Sequence, residues 1–366
     1  MLELSDSLQN YTGLTVLTAL FCFAAATLVA TSRTVGKQPK RMFIICFIGL
    51  IFIVAADWFN NIFNGTHPEY RFLHVTLTTV IFCIAPCISV LIAHAIIPSK
   101  NIRWVAAVLI AHAVFEIGNV FFGYVFWVDE SNSYHRGPLY GVYTAMYAFS
   151  VIYLVVESAR ASRLYQSASV APMVATVICL ASGVGGQIIN SNVRASWMAV
   201  SMAVVLYYLI YSDVVLRNDA LTHLLNRRSY GEMVRNPPLP CTVVLFDIDD
   251  FKIANDTYGH SYGDTCLVEI ARQIRRFFGG SGRCFRTGGD EFVVISTAGP
   301  EQVKVMHDEF QKAMSKVREA DPGMPGVSVG YAVAEKGCTN IADVINAADA
   351  SMYGTKRATK HTALLQ

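Results

Sequence analysis

Two adjacent acids follow a pair of glycines in the stretch Arg286–Phe292, which reads Arg-Thr-Gly-Gly-Asp-Glu-Phe. The apolar run Phe292–Ile295 comes next, so the order predicts a β-hairpin with Asp290 and Glu291 at its bend. Glycines at such a bend let the backbone approach a ligand closely, and two carboxylates beside it can hold a divalent cation that also contacts phosphates. An ordinary Gly-Gly turn with two solvated acids is the alternative that this stretch leaves open.

A second group of acids follows the apolar run Cys241–Phe246, whose composition predicts a buried strand. The run ends in Asp247-Ile248-Asp249-Asp250. A carboxylate at the end of a buried strand, beside a second carboxylate on a neighbouring hairpin, is a common arrangement in two-metal phosphoryl transfer. The two stretches together therefore predict a site for a phosphorylated substrate and divalent metal ions.

Four motifs, in this order and with this spacing, resemble the GGDEF domain of diguanylate cyclases. The matching positions are Asp219 to Arg228, then Asp247, Ile248, Asp249, Phe251, Lys252, Asn255, Asp256, Gly259, His260, Gly263 and Asp264, then Gly288 to Phe292, and finally Ala348, Asp349, Met352, Tyr353 and Lys356. The resemblance covers roughly residues 215 to 362. Because several independent motifs agree, it is far more specific than one Gly-Gly-Asp-Glu-Phe string.

The resemblance implies an α/β (α+β) domain of the ferredoxin-like, cyclase-type fold that condenses two GTP molecules into cyclic di-GMP and two pyrophosphates. It also implies two Mg²⁺ ions per active site, with Mn²⁺ as a possible substitute. Their protein ligands would be the carboxylates of Asp247 and Asp290 and the main-chain carbonyl of Ile248. Since one domain holds one nucleotide, the resemblance further implies that catalysis requires a homodimer.

The remaining roles are also carried over from the family. Asp290 and Glu291 are the acids nearest the attacking hydroxyl, and which of them assists its deprotonation stays open. Asn255 and Asp264 match the guanine-reading residues, and a carboxylate at the second position favours GTP because adenine lacks the paired donors of guanine. The other expected substrate contacts, mostly to phosphates, are Gly288, Gly289, Lys252, Lys356 and Lys360.

Two features depart from the family pattern. An inhibitory product site, Arg-x-x-Asp, often precedes the glycine pair, but its two positions here are Gly279 and Gly282. We therefore expect no feedback inhibition through that site. At the C-terminal signature, Lys360 stands where arginine is usual, which keeps the charge without the bidentate guanidinium and predicts weaker phosphate binding.

The composition of the chain is too apolar for a soluble enzyme, since 53% of its 366 residues are hydrophobic and only 15% are charged. Its net charge of +2 gives no indication of a nucleic-acid partner. The apolar residues concentrate before residue 214, where about seven segments approach the ~20 residues that cross a membrane. The predicted spans are 11–31, 42–64, 72–97, 103–127, 138–158, 170–190 and 194–213.

The loops between these spans predict the orientation of the chain. Basic residues mark the cytoplasmic side of a membrane, and they follow spans one, three and five: Arg33, Lys37, Lys40 and Arg41, then Lys100 and Arg103, then Arg160 and Arg163. This places the N-terminus outside the cell, and an odd number of spans brings the GGDEF domain into the cytoplasm. The expected location is therefore the bacterial inner membrane. The division is a transmembrane sensor domain at 1–213, a helical linker at 214–218 and a catalytic domain at 219–366.

Polar residues inside the spans are costly in lipid and usually face the bundle interior. His112, Glu116 and Asn119 have the i, i+4, i+7 spacing of one helix face. One interpretation is a sensor pocket for an unknown ligand or ion. The alternative is interhelical hydrogen bonding that fixes the bundle.

The sequence thus predicts a membrane-bound diguanylate cyclase that is regulated by a signal sensed in its membrane bundle. The alternative is a catalytically silent GGDEF module that binds GTP and acts through protein partners. Transport through the spans is a third hypothesis, disfavoured because no internal repeat is evident.

Overall fold

The computed structural model describes residues 2–32, 34–96, 102–165, 176, 178 and 195–363. The chain forms two compact units. The first comprises Met1–Arg163 and Ala168–Asp213 and is called the helical unit below. The second comprises Leu164–Ser167 and Val214–Gln366 and is called the α/β unit.

Long apolar helices build the helical unit. They are α1 (Leu2–Thr31), α2 (Lys37–Phe63), α3 (Arg71–Ile96), α4 (Ile102–Phe122), α5 (Tyr140–Leu164) and α6 (Ser196–Arg217). Six helices of the described residues are long and apolar enough to cross a membrane. The predicted span at 170–190 lies almost wholly outside the described residues, so six of the seven predicted spans have a counterpart.

The predicted fourth span, 103–127, is too long. Helix α4 ends at Phe122, and Gly123 leaves the helical conformation with a φ of +65°. The chain then forms β1 (Phe126–Val128), which pairs antiparallel with β2 (Tyr134–Arg136). The side chain of Asn119 favours this break, because its oxygen accepts the main-chain N–H of Val125 at 2.7 Å and its nitrogen donates to the carbonyl of Phe126 at 2.9 Å.

The α/β unit includes the last turn of α6, from Val214 to Arg217. Its elements are α7 (Arg227–Arg235), β3 (Cys241–Ile248), α8 (Phe251–Tyr258), α9 (His260–Phe278), β4 (Gly282–Arg286), β5 (Glu291–Ser296), α10 (Pro300–Ala320), β6 (Val327–Ala334) and α11 (Ile341–Ala363). The four strands form an antiparallel sheet in the order β4-β5-β3-β6. From β3 onward this is the βαββαβ order of the ferredoxin-like fold that the resemblance implies, except that two helices, α8 and α9, lie between β3 and β4.

Strand β3 is buried on both faces of the sheet, which explains its continuous apolar sequence. On one face, Phe246 packs edge-to-face against Phe278 of α9 and Phe310 of α10, with ring centroids 5.3 and 5.4 Å apart. On the other face, Val243 belongs to a second core cluster that includes Ala348 of α11. The polar end of β3 is therefore held by a strand that is fixed from both sides.

Candidate active site

The end of β3 and the start of β5 bring the predicted metal residues together. In the antiparallel pairing, Asp247 lies opposite Glu291. The next residue along β3, Ile248, donates its main-chain N–H to the carbonyl of Asp290 at 3.3 Å. The sheet thus places Asp247, Asp290 and Glu291 at one end of two neighbouring central strands, as the sequence predicts.

The hairpin between β4 and β5 has the predicted bend. The N–H of Thr287 donates to the carbonyl of Glu291 at 3.0 Å and closes the turn. A Cβ on Gly288 would lie 2.8 Å from Oε2 of Glu291, so the exposed Glu291 side chain would have to move aside for any larger residue. A Cβ on Gly289 would have no atom within 4 Å, so the surroundings of Gly289 leave room for a ligand.

Arg286 links this hairpin to Asp219 through hydrogen bonds, a role that the sequence did not indicate. Its guanidinium donates to Oδ1 of Asp219 at 3.0 Å and to the carbonyl of Gly289 at 2.8 Å. Asp219 in turn accepts the Thr222 hydroxyl at 2.7 Å and the Thr222 N–H at 2.9 Å. One arginine before a turn carries no specific sequence signal, and only the fold brings residues 219 and 286 into contact.

The contacts of Asp219 predict an acid-dependent loss of stability. Burial raises the pKa of Asp219, but the hydrogen bonds from Thr222 and Arg286 outweigh burial, so its pKa lies below the ordinary value. A depressed carboxyl pKa stabilises the fold above the unfolded pKa of about 3.9, and this contribution disappears as the pH falls through the folded pKa. We expect Asp219→Asn to lower the urea midpoint of the α/β unit at neutral pH, with the difference shrinking below about pH 4.

Unfolding midpoints of the full-length protein at neutral and acidic pH check this prediction. Glu309→Gln, on the exposed side of α10, is the matched control. A deficit in Asp219→Asn that stays constant down to the lowest pH would show that the charge of Asp219 contributes nothing.

The two predicted guanine-reading residues come from neighbouring helices. Asn255 lies on α8, and Asp264 lies exposed on α9. Gly263, directly before Asp264, is buried, and a Cβ there would fall 2.0 Å from Oδ1 of Asn255. The absence of a side chain at Gly263 therefore lets the Asn255 amide pack against the first turns of α9, beside Asp264.

The predicted phosphate-binding lysines differ in their surroundings. Lys356 of α11 forms an ion pair with the carboxylate of Asp247, and its Nζ lies 4.0 Å from Oδ1 of Asp249. Burial lowers the pKa of Lys356, but the hydrogen bond to Asp247 and the nearby acids outweigh burial and raise it, so the ammonium stays charged. Lys252 is exposed on α8. Lys360 continues α11, and its side chain lies outside the described part of the structure.

Asp249, which matches a motif position of the family, has a structural role in the fold. Its N–H donates to the carbonyl of Gly326 at 2.9 Å, and its Oδ1 accepts the Ser328 hydroxyl at 2.7 Å. A Cβ on Gly326 would lie 2.9 Å from Oδ2 of Asp249. These contacts tie the loop after β3 to the start of β6, and they thereby fix the carboxyl end of β3, where Asp247 lies.

The donor set fits a magnesium site of the expected kind. Asp247 and Asp290 offer carboxylate oxygens, Ile248 adds a carbonyl, and Mg²⁺ prefers such ligands while sharing its shell with substrate phosphates. The carboxylate of Asp247 pairs with the ammonium of Lys356, so a metal ion bound there would share or displace this contact. Among the described residues, no three His, Cys, Asp or Glu side chains cluster as a complete metal cage.

The predicted sensor pocket in α4 is only partly available to a ligand. His112, Glu116 and Asn119 are all buried, on the shared face that their spacing predicts. Both polar atoms of Asn119 are used by the backbone of the chain entering β1. The other two residues lie near each other, because Nε2 of His112 is 3.7 Å from Oε1 of Glu116.

Comparison with known proteins identifies the family of the α/β unit. Residues 217–362 match the family described as "Diguanylate cyclase, GGDEF domain". A 19.3 kDa protein of Streptomyces ambofaciens, described as uncharacterized, is 36% identical over 148 residues, which cover 38% of this chain and 78% of that protein. The chain belongs to the GGDEF family.

Named relatives are similar over the same part of the chain. "Probable diguanylate cyclase DgcC" of Escherichia coli K12 is 33% identical over 162 residues, covering 40% of this chain and 42% of the relative. The GGDEF domain of DgcB from Caulobacter crescentus, solved in complex with c-di-GMP, is 29% identical, with a TM-score of 0.36 over 39% of this chain and 89% of that one. The chain spans less than half the length of the curated diguanylate cyclases that it matches first.

Proposed function

We propose that the chain is a membrane-bound diguanylate cyclase, which joins two GTP molecules into cyclic di-GMP and releases two pyrophosphates. The observation that carries the proposal is the placement of Asp290 and Glu291 beside Asp247 at the end of β3. The match of residues 217–362 to the cyclase family supports the same activity.

In the proposed reaction, the 3′-oxygen of one GTP attacks the α-phosphorus of the other, and the bond to the leaving pyrophosphate breaks. Asp247, Asp290 and the Ile248 carbonyl would hold Mg²⁺, which supplies the positive charge that phosphoryl transfer requires. Asp290 and Glu291 lie at the bend of the hairpin, where one of them accepts the proton of the attacking hydroxyl. Lys252, Lys356 and Lys360 contact the phosphates and the departing pyrophosphate.

Substrate selection is assigned to the junction of α8 and α9. The exposed carboxylate of Asp264 accepts from the guanine N1 and N2 donors, and the Asn255 amide packed over Gly263 completes the base site. Gly288 and Gly289 form the turn that lets the nucleotide approach the backbone. Because each α/β unit offers one such site, two copies of the chain must face each other for the reaction to occur.

The helical unit is proposed to be a seven-span sensor of the inner membrane, with its N-terminus outside and the α/β unit in the cytoplasm. Its six described apolar helices support membrane insertion. Helix α6 is continuous to Arg217, whose carbonyl accepts the N–H of Asn226 at 2.9 Å and the hydroxyl of Ser229 at 2.8 Å. In this proposal a signal passes from α6 through the linker 214–218 to Asp219, and from Asp219 through Arg286 to the hairpin.

Turnover of GTP by the purified full-length protein in lipid tests the proposed activity. We expect cyclic di-GMP in the presence of Mg²⁺ and none after chelation of the metal. If GTP binds and no product forms at any Mg²⁺ or Mn²⁺ concentration, the cyclase proposal fails and the chain is the catalytically silent GTP-binding module.

The chain is also expected to lack feedback inhibition through the Arg-x-x-Asp position. Gly282 begins β4, and a Cβ there would lie 2.8 Å from the carbonyl of Ile295, so the strand excludes an aspartate without shifting. Added cyclic di-GMP should leave the initial rate unchanged at concentrations well below that of GTP. Inhibition by the product that disappears when residues 279–282 are replaced would contradict this expectation.

A further inference from the structure

Glu116 is a carboxyl group that the structure leaves without compensation. Its side chain is 0% exposed, and neither of its oxygens has a hydrogen-bond partner. A buried ionised carboxylate without a partner is unfavourable by several kcal/mol, and such groups are usually neutralised. The ligand that neutralises Glu116 can be inferred from its neighbours.

The titratable groups facing Glu116 come from three elements. On its own helix, Nε2 of His112 lies 3.7 Å away and also 3.3 Å from the carbonyl of Phe82 on α3. Cys83 of α3 and Tyr134 of β2 lie within electrostatic reach of Glu116. None of these groups brings a fixed positive charge to the carboxyl.

The hydrogen bond of His112 does not require a charged imidazole. Nε2 lies closer to the Phe82 carbonyl than to Glu116, so its hydrogen is directed mainly to that carbonyl. A neutral imidazole beside a neutral carboxylic acid places no charged group in this apolar surrounding, whereas an imidazolium and a carboxylate would place two charges there, each of which loses its hydration.

The surroundings disfavour a larger ligand. The rings of Phe82 and Tyr143 are stacked with centroids 3.9 Å apart, and Phe82 also packs edge-to-face on Phe126 at 5.3 Å. Among the described residues, Glu116 belongs to no group of three side chains suited to a metal ion. Complete burial of the carboxyl and this close ring packing are compatible with the smallest cation, a proton.

We infer that Glu116 binds a proton and that this proton is the ligand of the His112–Glu116 site in the helical unit. The inference deepens the proposed sensor role of α4, but it does not depend on cyclase activity. Release of the proton places a charge among the packed helices, so protonation of Glu116 and the arrangement of α3 and α4 are coupled.

Infrared spectroscopy of the full-length protein in phosphatidylcholine nanodiscs tests the inference without an activity measurement. At about pH 7 an exposed glutamate, with a pKa of about 4.3, is ionised. We expect the wild type to show the carbonyl stretch of a protonated carboxylic acid, and Glu116→Gln to lose it. Glu157→Gln is the matched control, because Glu157 is also buried but its carboxylate forms an ion pair with Arg160 at 2.6 Å.

Two further measurements keep the inference testable if Glu116→Gln does not fold. Glu116→Asp should keep an acid band at a shifted frequency, and ¹⁵N spectra of labelled histidine in the wild type should show His112 as a neutral imidazole. An unchanged acid band in a folded Glu116→Gln, an imidazolium signal from His112, or displacement of the band by added metal ions or organic amines at constant pH would each overturn the inference.

Discussion

Replacing Asp290 with alanine is expected to lower the rate of cyclic di-GMP formation by about a hundredfold or more, because the carboxylate acts where charge develops in the transition state. The fold should survive the change. The contact that ties residue 290 to β3 is made by its main-chain carbonyl, which accepts the N–H of Ile248 at 3.3 Å and is present in alanine as well. The measurement is the rate of product formation by full-length wild type and variant in lipid at saturating GTP and Mg²⁺.

The matched control is Glu309→Ala, which removes a carboxylate from the exposed side of α10. This variant should keep the wild-type rate. If Asp290→Ala stays within about tenfold of wild type, equivalent to less than about 1.4 kcal/mol of transition-state stabilisation, the metal-binding role of Asp290 is wrong. A wild type that is itself inactive would instead contradict the cyclase proposal.

Replacing Gly330 with alanine is expected to destabilise the α/β unit by about 3 kcal/mol or more, since overpacking of a filled core already costs about 1–3 kcal/mol. A Cβ on Gly330 would lie 2.2 Å from the main-chain nitrogen of Met352 and 2.4 Å from the carbonyl of Ala348. Both are backbone atoms of α11, so no change of side-chain rotamer relieves the overlap. Strand β6 and helix α11 must separate.

The same separation should weaken substrate binding, because α11 carries Lys356 to its contact with Asp247. Urea unfolding of the α/β unit in the full-length protein, followed by pulse proteolysis, measures the loss of stability. Gly337→Ala is the control, since no atom lies within 4 Å of its Cβ position, and its effect should stay within about 0.5 kcal/mol. Equal midpoints for the two variants would show that β6 and α11 are not as tightly packed as described.

Much of the α/β unit was predictable because its signals are local. The apolar run from Cys241 and the Gly-Gly bend define strands and a hairpin through side-chain pattern alone. Their bounds in the structure, Cys241–Ile248 for β3 and Glu291–Ser296 for β5, agree with that pattern. The motifs also identified the family, which the match over residues 217–362 confirms.

The ends of the helices in the helical unit were less predictable from the sequence. Hydropathy does not distinguish the end of α4 from the strand β1 that follows it, since both are apolar. The break depends on the Asn119 side chain, which binds main-chain groups of Val125 and Phe126. The sequence left Asn119 open between a ligand pocket and interhelical hydrogen bonding, because spacing shows which face a residue occupies and not which partner it finds there.

The sequence by itself determined the chemistry available to this protein: acids beside glycines, an acid after a buried strand, and a long apolar region before them. Such information lies in residue order, because secondary structure and motifs arise from neighbours along the chain. Only the tertiary structure decided that Arg286 joins Asp219 to the hairpin, that Gly263 makes room for Asn255, and that Glu116 has no hydrogen-bond partner. Each of these features depends on how separate elements pack against one another, which the order of residues along the chain does not specify.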